Sequence, residues 1–122
     1  MGLDQYGRSH HEDEPEGNML MTWRKHNRLQ GYMAELAMDR GLVSQAEEFN
    51  SGIDLELDLG DIENLEHCVV KRLLPEAQGF FFGDDSYNEG YEEFDLKSDL
   101  KFIRLAKDAL NKGYTVTYGC WW

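Results

Sequence analysis

Asp84, Ser86 and Asn88 put side-chain oxygens at the first, third and fifth positions of a would-be calcium loop running to Asp95. Such a loop needs glycine sixth, for the sharp turn that wraps the oxygens around the ion, and a bidentate glutamate twelfth. Glu89 stands sixth, Gly90 comes one place late, and Asp95 stands twelfth. The pattern fails as a calcium site. What is left between Asp84 and Asp95 is a tract of six carboxylates and no base, with Tyr87, Tyr91 and Phe94 set among them. Aromatic anchors within a charged rim are how many interfaces are built. Asp84, Asp85, Tyr87, Tyr91, Glu92, Glu93 and Phe94 are therefore a candidate partner-binding surface, with a plain solvated loop as the competing reading. Trp122, at the end of the chain, joins them as a candidate anchor, or else plugs the terminus into the core.

The second cluster is Trp23-Arg24-Lys25-His26-Asn27-Arg28. Near a helix start, Arg24, Lys25, His26 and Asn27 have donors suited to a phosphate or carboxylate, helped by the free N–H groups of the first turn. The simpler reading pairs Arg24 and Lys25 with neighbouring acids, and sets His26 as a hydrogen-bonded core histidine. His10-His11, beside Glu12, Asp13 and Glu14, is expected as a polar loop; structural zinc sites draw fixed ligands, usually with thiolates, from more than one element. His67 falls on the exposed side of its helix. No serine–histidine–aspartate or cysteine–histidine arrangement is defensible, and neither common glycine-rich phosphate loop is present. No catalytic residue, cofactor or metal is expected.

The bulk properties narrow the class. At 122 residues the chain suits a single domain, 1–122, and 41% hydrophobic with 12% aromatic residues is too apolar for a disordered chain. The net charge of −12, from 24 acids and 12 bases, argues against nonspecific nucleic-acid binding, which needs cations to displace counterions. It suits a soluble protein, or one that docks on a basic surface. The charge is also uneven: Glu47 to Glu66 holds eight acids and no base. Cys68 and Cys120 read as buried free thiols in a reducing compartment. No apolar run approaches the roughly 18 residues of a membrane span. The amino terminus lacks a signal-peptide pattern, and Tyr6 stands where a myristoylation motif wants serine or threonine. The cytosol is the expected location.

These residues must be held by a small set of elements. Met1 to Tyr6 predicts a short edge strand, and 7–18 a polar loop. His26, Leu29, Met33, Leu36 and Ala37 fall on one helical stripe, with Thr22 as N-cap and Gly41 as the stop. Ile53, Leu55, Leu57 and Leu59 alternate with acids, as in a half-buried strand. Ile62, Leu65, Cys68, Val69, Arg72 and Leu73 predict a second helix, capped by Asp58 or Asp61 and stopped by Pro75. Phe80 to Phe82, fenced by glycines, predicts a third strand running into the acidic loop at 84–95. Leu96, Leu100, Ile103, Ala106 and Leu110 mark the last helix, ended by Asn111-Lys112-Gly113, and Tyr114 to Cys120 alternates as a final strand. The expectation is an α+β domain: a small mixed sheet of three to four strands with about three helices packed on it.

Four blocks, Met1-Gly-Leu-Asp-Gln-Tyr6, Trp23-Arg-Lys-His-Asn-Arg-Leu29, Gly79-Phe-Phe-Phe-Gly-Asp84 and Tyr118-Gly-Cys-Trp-Trp122, run in order over most of the chain. Together they resemble a family of small proteins from tailed bacteriophages and prophages. Members of that family often carry the label phosphoglycerate kinase, which does not suit a chain this short without a nucleotide-binding glycine motif. The resemblance implies a phage origin and supplies no catalytic residue; the His10-His11 acidic loop and Cys120 depart from the family's general pattern. A phage origin makes a non-enzymatic accessory protein the leading expectation, one that binds and modulates or inhibits a host macromolecule of defence or transcription through its acidic faces. A small-molecule or nucleotide-sequestering protein using Arg24 to Asn27 is the alternative, and an enzyme of unrecognised type the third.

Overall fold

A computed structural model describes residues 3–11, 13–24, 26–50, 53–74 and 96–121, with only the backbone of 14–16 and 27. Four strands, β1 (Asp4–His11), β2 (Glu14–Arg24), β3 (Leu55–Leu57) and β4 (Thr115–Trp121), form one sheet in the order β2-β1-β4-β3. Three helices, α1 (Asn27–Asp39), α2 (Leu59–Val70) and α3 (Leu96–Asn111), pack against it. The α+β class is as expected. Every strand pairing is antiparallel, however, so among the described residues the sheet is not mixed.

The largest departure lies at the amino end. Residues 7–18, expected as a loop, form most of a β1–β2 hairpin, and β1 is an inner strand rather than an edge. The inward positions of β1 are Gln5, Gly7 and Ser9, all buried, so the strand alternates without looking hydrophobic. Gly7 is required by packing. A Cβ there would lie 2.3 Å from Cε1 of Phe102, whose ring from α3 presses against the strand. Register breaks between Gly7 and Arg8 and between Ser9 and His11 absorb the irregularity of the hairpin.

Helix boundaries follow local chemistry. Thr22 lies within β2, opposite Tyr6, so it cannot cap α1; His26 occupies that position. Asp58 caps α2 reciprocally with Asp61: the Asp61 amide donates to Asp58 Oδ1 at 2.8 Å and the Asp58 amide to Asp61 Oδ2 at 2.9 Å. All three helices close in one way. The amides of Leu42, Leu73 and Tyr114 reach back to the carbonyls of Ala37, Cys68 and Ala109, around a residue of positive φ. That residue is Gly41 in α1 and Gly113 in α3, but Arg72 (φ 56°) in α2. Helix α2 therefore ends at Val70, ahead of Pro75. Ile53 to Leu59 yields only the three-residue strand β3, because Leu59 already belongs to α2. The strand expected at Phe80–Phe82 lies outside the described residues.

The core is one cluster between sheet and helices. It includes Leu3, Leu29, Met33, Phe49, Leu55, Leu57, Ile62, Leu65, Phe102, Ile103, Val116 and Tyr118, all essentially inaccessible. Leu57 pairs with Val116, so α2 departs from the sheet where α3 delivers the chain to β4. The two helices pack on each other and thus run antiparallel, tied by Lys107 Nζ to Glu66 Oε1 at 2.6 Å.

Candidate functional site: a sealed polar network and an acidic groove

The titratable groups that could do chemistry meet inside the molecule. Gln5 faces inward from β1; its Nε2 donates to the His26 carbonyl and to the Tyr118 hydroxyl, both at 2.9 Å, while its Oε1 accepts from the His26 amide at 2.9 Å. The Tyr118 hydroxyl donates to Gln30 Oε1 at 2.6 Å. Gln30 Nε2 in turn donates to Cys120 Sγ at 3.2 Å, and the Cys120 thiol reaches the Phe49 carbonyl at 3.3 Å. A second branch centres on Asp99 of α3. Its Oδ1 accepts from Trp23 Nε1 at 2.9 Å, and its Oδ2 lies 2.9 Å from His26 Nε2. Trp23 also meets the Phe102 ring edge-on, with centroids 5.1 Å apart.

A carboxylate–imidazole pair with a phenol and a thiol nearby contains the parts of a general-base site. Burial disarms it. His26 is 3% exposed and Asp99 1%. Desolvation pushes the Tyr118 phenol well above its ordinary pKa of 10 and the Cys120 thiol up to about 11, so both are protonated at neutral pH. A protonated, enclosed thiol is a poor nucleophile. The network's evident work is structural: it joins β1, β2, β4, α1 and α3 through bonds that water cannot replace.

The surface offers a different kind of site. The acid-rich stretch 47–66 is partly consumed by folding. Glu48 Oε1 accepts from the amides of Ser44 and Gln45, Asp58 and Asp61 cap α2, and Glu66 pairs with Lys107. Arg40, at the end of α1, bonds Asp61 and the Glu56 carbonyl, which clamps the outer edge of β3. Asp54 and Glu56 are left exposed with no ionic partner among the described residues. They line a groove of about 470 Å³ with Asp58, Leu55, Arg40 and Leu42. Leu42 and Leu59 are 47% and 41% exposed. The groove is thus an acidic strip with apolar side chains close by.

The residues singled out from sequence are scattered. Arg24 lies at the end of β2, exposed, 3.9 Å from Asp4 in a surface pocket of about 400 Å³ that Tyr6 and Thr22 also line. His26 points the other way, into the core. Lys25 and the Asn27 side chain lie outside the described residues. The Trp23–Arg28 block, expected on one helix, is therefore split between a strand end and a helix start, and Arg24 and His26 do not converge on a common ligand. Arg28 Nη1 donates to the Leu74 carbonyl at 3.0 Å. Asp84, Asp85, Tyr87, Tyr91, Glu92, Glu93, Phe94 and Trp122 lie outside the described residues.

His10 and His11 are held on the hairpin, His10 Nε2 at 3.0 Å from Thr117 Oγ1 and the His11 ring tilted against that of Tyr114, with centroids 5.0 Å apart. No group of three metal-binding side chains occurs among the described residues. No described helix is long and apolar enough to cross a membrane.

Sequence reasoning missed Gln5, Gln30, Asp99 and Tyr118 as a network. The signal was faint but present. Asp99 is the acid on the core-facing stripe of α3, three residues after Leu96 and four before Ile103, and Gln30 follows His26 by four. Leu100, read as core, is 39% exposed, because Asp99 and Phe102 take the inward positions. The fold and its surface define an α+β domain with a polar-stitched core and an acidic groove. Comparison with protein-family models, with curated proteins and with solved structures finds no match to this chain.

Proposed function

We propose that the protein is a small phage accessory protein that works by binding, without catalysis, in the host cytoplasm. Its partner is a host macromolecule with a basic surface, a component of defence or transcription, which it modulates or inhibits. The observation that carries this reading is the groove along β3, where Asp54 and Glu56 have no ionic partner among the described residues and the exposed Leu42 lines the same surface. Carboxylates of this kind mainly steer and accelerate association, while apolar side chains supply buried contact. The sealing of His26 and Asp99 supports binding over catalysis, since a substrate has no route to them among the described residues. The exposure of Arg24 at a strand end and the burial of His26 in the core favour this reading over the nucleotide-sequestering alternative.

The test is capture of partners from host lysate with wild type and with Asp54→Lys/Glu56→Lys, at low and high salt. A specific partner should be retained by wild type at low salt and lost both at high salt and by the double variant. Equal capture by wild type and variant would overturn the reading.

A further inference from the structure

Four of the twelve bases of this acidic protein pair with acids among the described residues. Lys107 pairs with Glu66 at 2.6 Å, Lys112 with Asp108 at 3.0 Å and Arg24 with Asp4 at 3.9 Å, while Arg40 bonds Asp61. Three bases on α3 break the pattern. Lys97, Lys101 and Arg104 are all exposed, and none has an ionic partner among the described residues. Their spacing of four and then three residues puts them on one face of the helix, over about 10 Å of its length. Leu100 sits within that face, three residues after Lys97 and four before Arg104, and is 39% exposed. The antiparallel packing of α2 on α3 brings the end of α2 to the same end of the helical layer. The turn that closes α2 contributes Lys71, also exposed and without an ionic partner among the described residues, and Leu73, which is 58% exposed. The only acid in this half of α3 is Asp99, and it points into the core.

In a chain of net charge −12, four cations without ionic partners among the described residues, set with two exposed leucines, make a local basic patch of opposite sign to the rest of the protein. We infer that this face, the first half of α3 with the end of α2, is a second docking surface, and that it takes an acidic, amphipathic peptide segment of a partner protein. Charge complementarity sets the sign of the partner. The leucines choose between its possible chemistries: a phosphate backbone offers nothing to Leu73 and Leu100, and the net charge of the protein repels a polyanion as a whole. A peptide with glutamates or aspartates flanking apolar side chains satisfies both kinds of group in one contact, as helix-in-groove recognition does. This surface is independent of the β3 groove and of opposite sign, so the protein presents two faces for two chemically distinct partners.

Fluorescence anisotropy with a labelled synthetic peptide of glutamates bearing leucines at helical spacing tests the assignment. The comparison probes are the same peptide with alanine for leucine, and a single-stranded oligothymidylate. Wild type should bind the glutamate–leucine peptide best. Lys97→Glu/Lys101→Glu/Arg104→Glu should weaken it by at least about tenfold, a loss of about 1.4 kcal/mol, with the circular dichroism spectrum and melt unchanged. The milder Lys97→Gln/Lys101→Gln should weaken it in the same direction if the triple variant folds poorly. Glu56→Lys, which alters only the β3 groove, should leave this binding intact, so failure here and failure of the proposed function are read separately. No binding by wild type, equal affinity in the charge variants, or tighter binding of the oligothymidylate or the leucine-free peptide would overturn the inference.

Discussion

Replacing Asp99 by alanine is the sharpest test of how the polar core holds the sheet to its helices. The carboxylate serves at least two buried groups, the Trp23 indole N–H at 2.9 Å and the His26 ring at 2.9 Å. Stranding a buried donor costs about 1–3 kcal/mol, and removing the carboxylate strands two of them, Trp23 Nε1–H and the His26 ring N–H. The middle of the summed range serves as the expectation. Asp99→Ala should lower unfolding stability by about 3–5 kcal/mol, a large part of the 5–15 kcal/mol typical of a domain. For a chain of 122 residues that is a fall in melting temperature of roughly 12–20 °C, at about 4 °C per kcal/mol. Asp99→Asn keeps an oxygen for Trp23 and should lose less. Urea unfolding followed by circular dichroism measures all of this, and a double-mutant cycle with Trp23→Phe isolates the indole bond. The second substitution should cost less in the presence of the first, by about 1–2 kcal/mol. A loss below about 1 kcal/mol for Asp99→Ala, or strict additivity in the cycle, would refute the structural role given to the network.

Two further perturbations follow from the packing and the buried thiol. Gly7→Ala places a methyl 2.3 Å from the Phe102 ring, so it should destabilise by about 1–3 kcal/mol, with Phe102→Leu recovering part of the loss; a neutral Gly7→Ala in urea unfolding would contradict the packing. The Cys120 thiol titrates near 9 when unfolded and at about 11 when folded. The folded protein therefore holds a proton that the unfolded chain gives up, and stability present below pH 9 should drain away as pH climbs toward 11, by about 2–3 kcal/mol from this group. Desolvation of Tyr118 acts in the same direction at higher pH. Stability curves at pH 8 to 11 should be flatter for Cys120→Ala than for wild type, and identical slopes would contradict the assignment.

How much of this was legible in the chain depended on whether the buried face was apolar. Helix α2 and strand β4 bury isoleucine, leucine, valine and tyrosine at helical or alternating spacing, and α3 buries Phe102, Ile103, Ala106 and Ala109, so sequence placed all three elements. The β1–β2 hairpin hid because its inward residues, Gln5, Gly7 and Ser9, are a polar side chain, no side chain and a hydroxyl. Hydrophobic periodicity has nothing to count there. The same blindness covered the candidate site. Gln5, Gln30 and Asp99 are invisible to a search for apolar stripes, and Leu100 reads as core by its spacing although Asp99 and Phe102 take the inward positions. His26 was read correctly as a core histidine because it begins an otherwise apolar stripe.

That failure has a physical content of its own. A core stitched by glutamines, a histidine and an aspartate gains little net stability over an apolar one, since each buried polar group must first be stripped of water. What it gains is direction: only one arrangement of β1, α1, α3 and β4 satisfies Gln5, Gln30, Tyr118 and Asp99 together. Strand β1 has no apolar side chain on its inward face between Gln5 and Ser9, so hydrophobic contact alone would leave its register weakly set. The Gln5 amide, bonded to both the His26 backbone and the Tyr118 hydroxyl, supplies that missing register. By the same logic, a Gln5→Leu substitution restores apolar area yet removes the Gln5 oxygen from the His26 amide and leaves the His26 carbonyl with only the Gln30 amide of its two named donors. The network is therefore best understood as the device that fixes the two faces, acidic at β3 and basic on α3, in one geometry relative to the sheet.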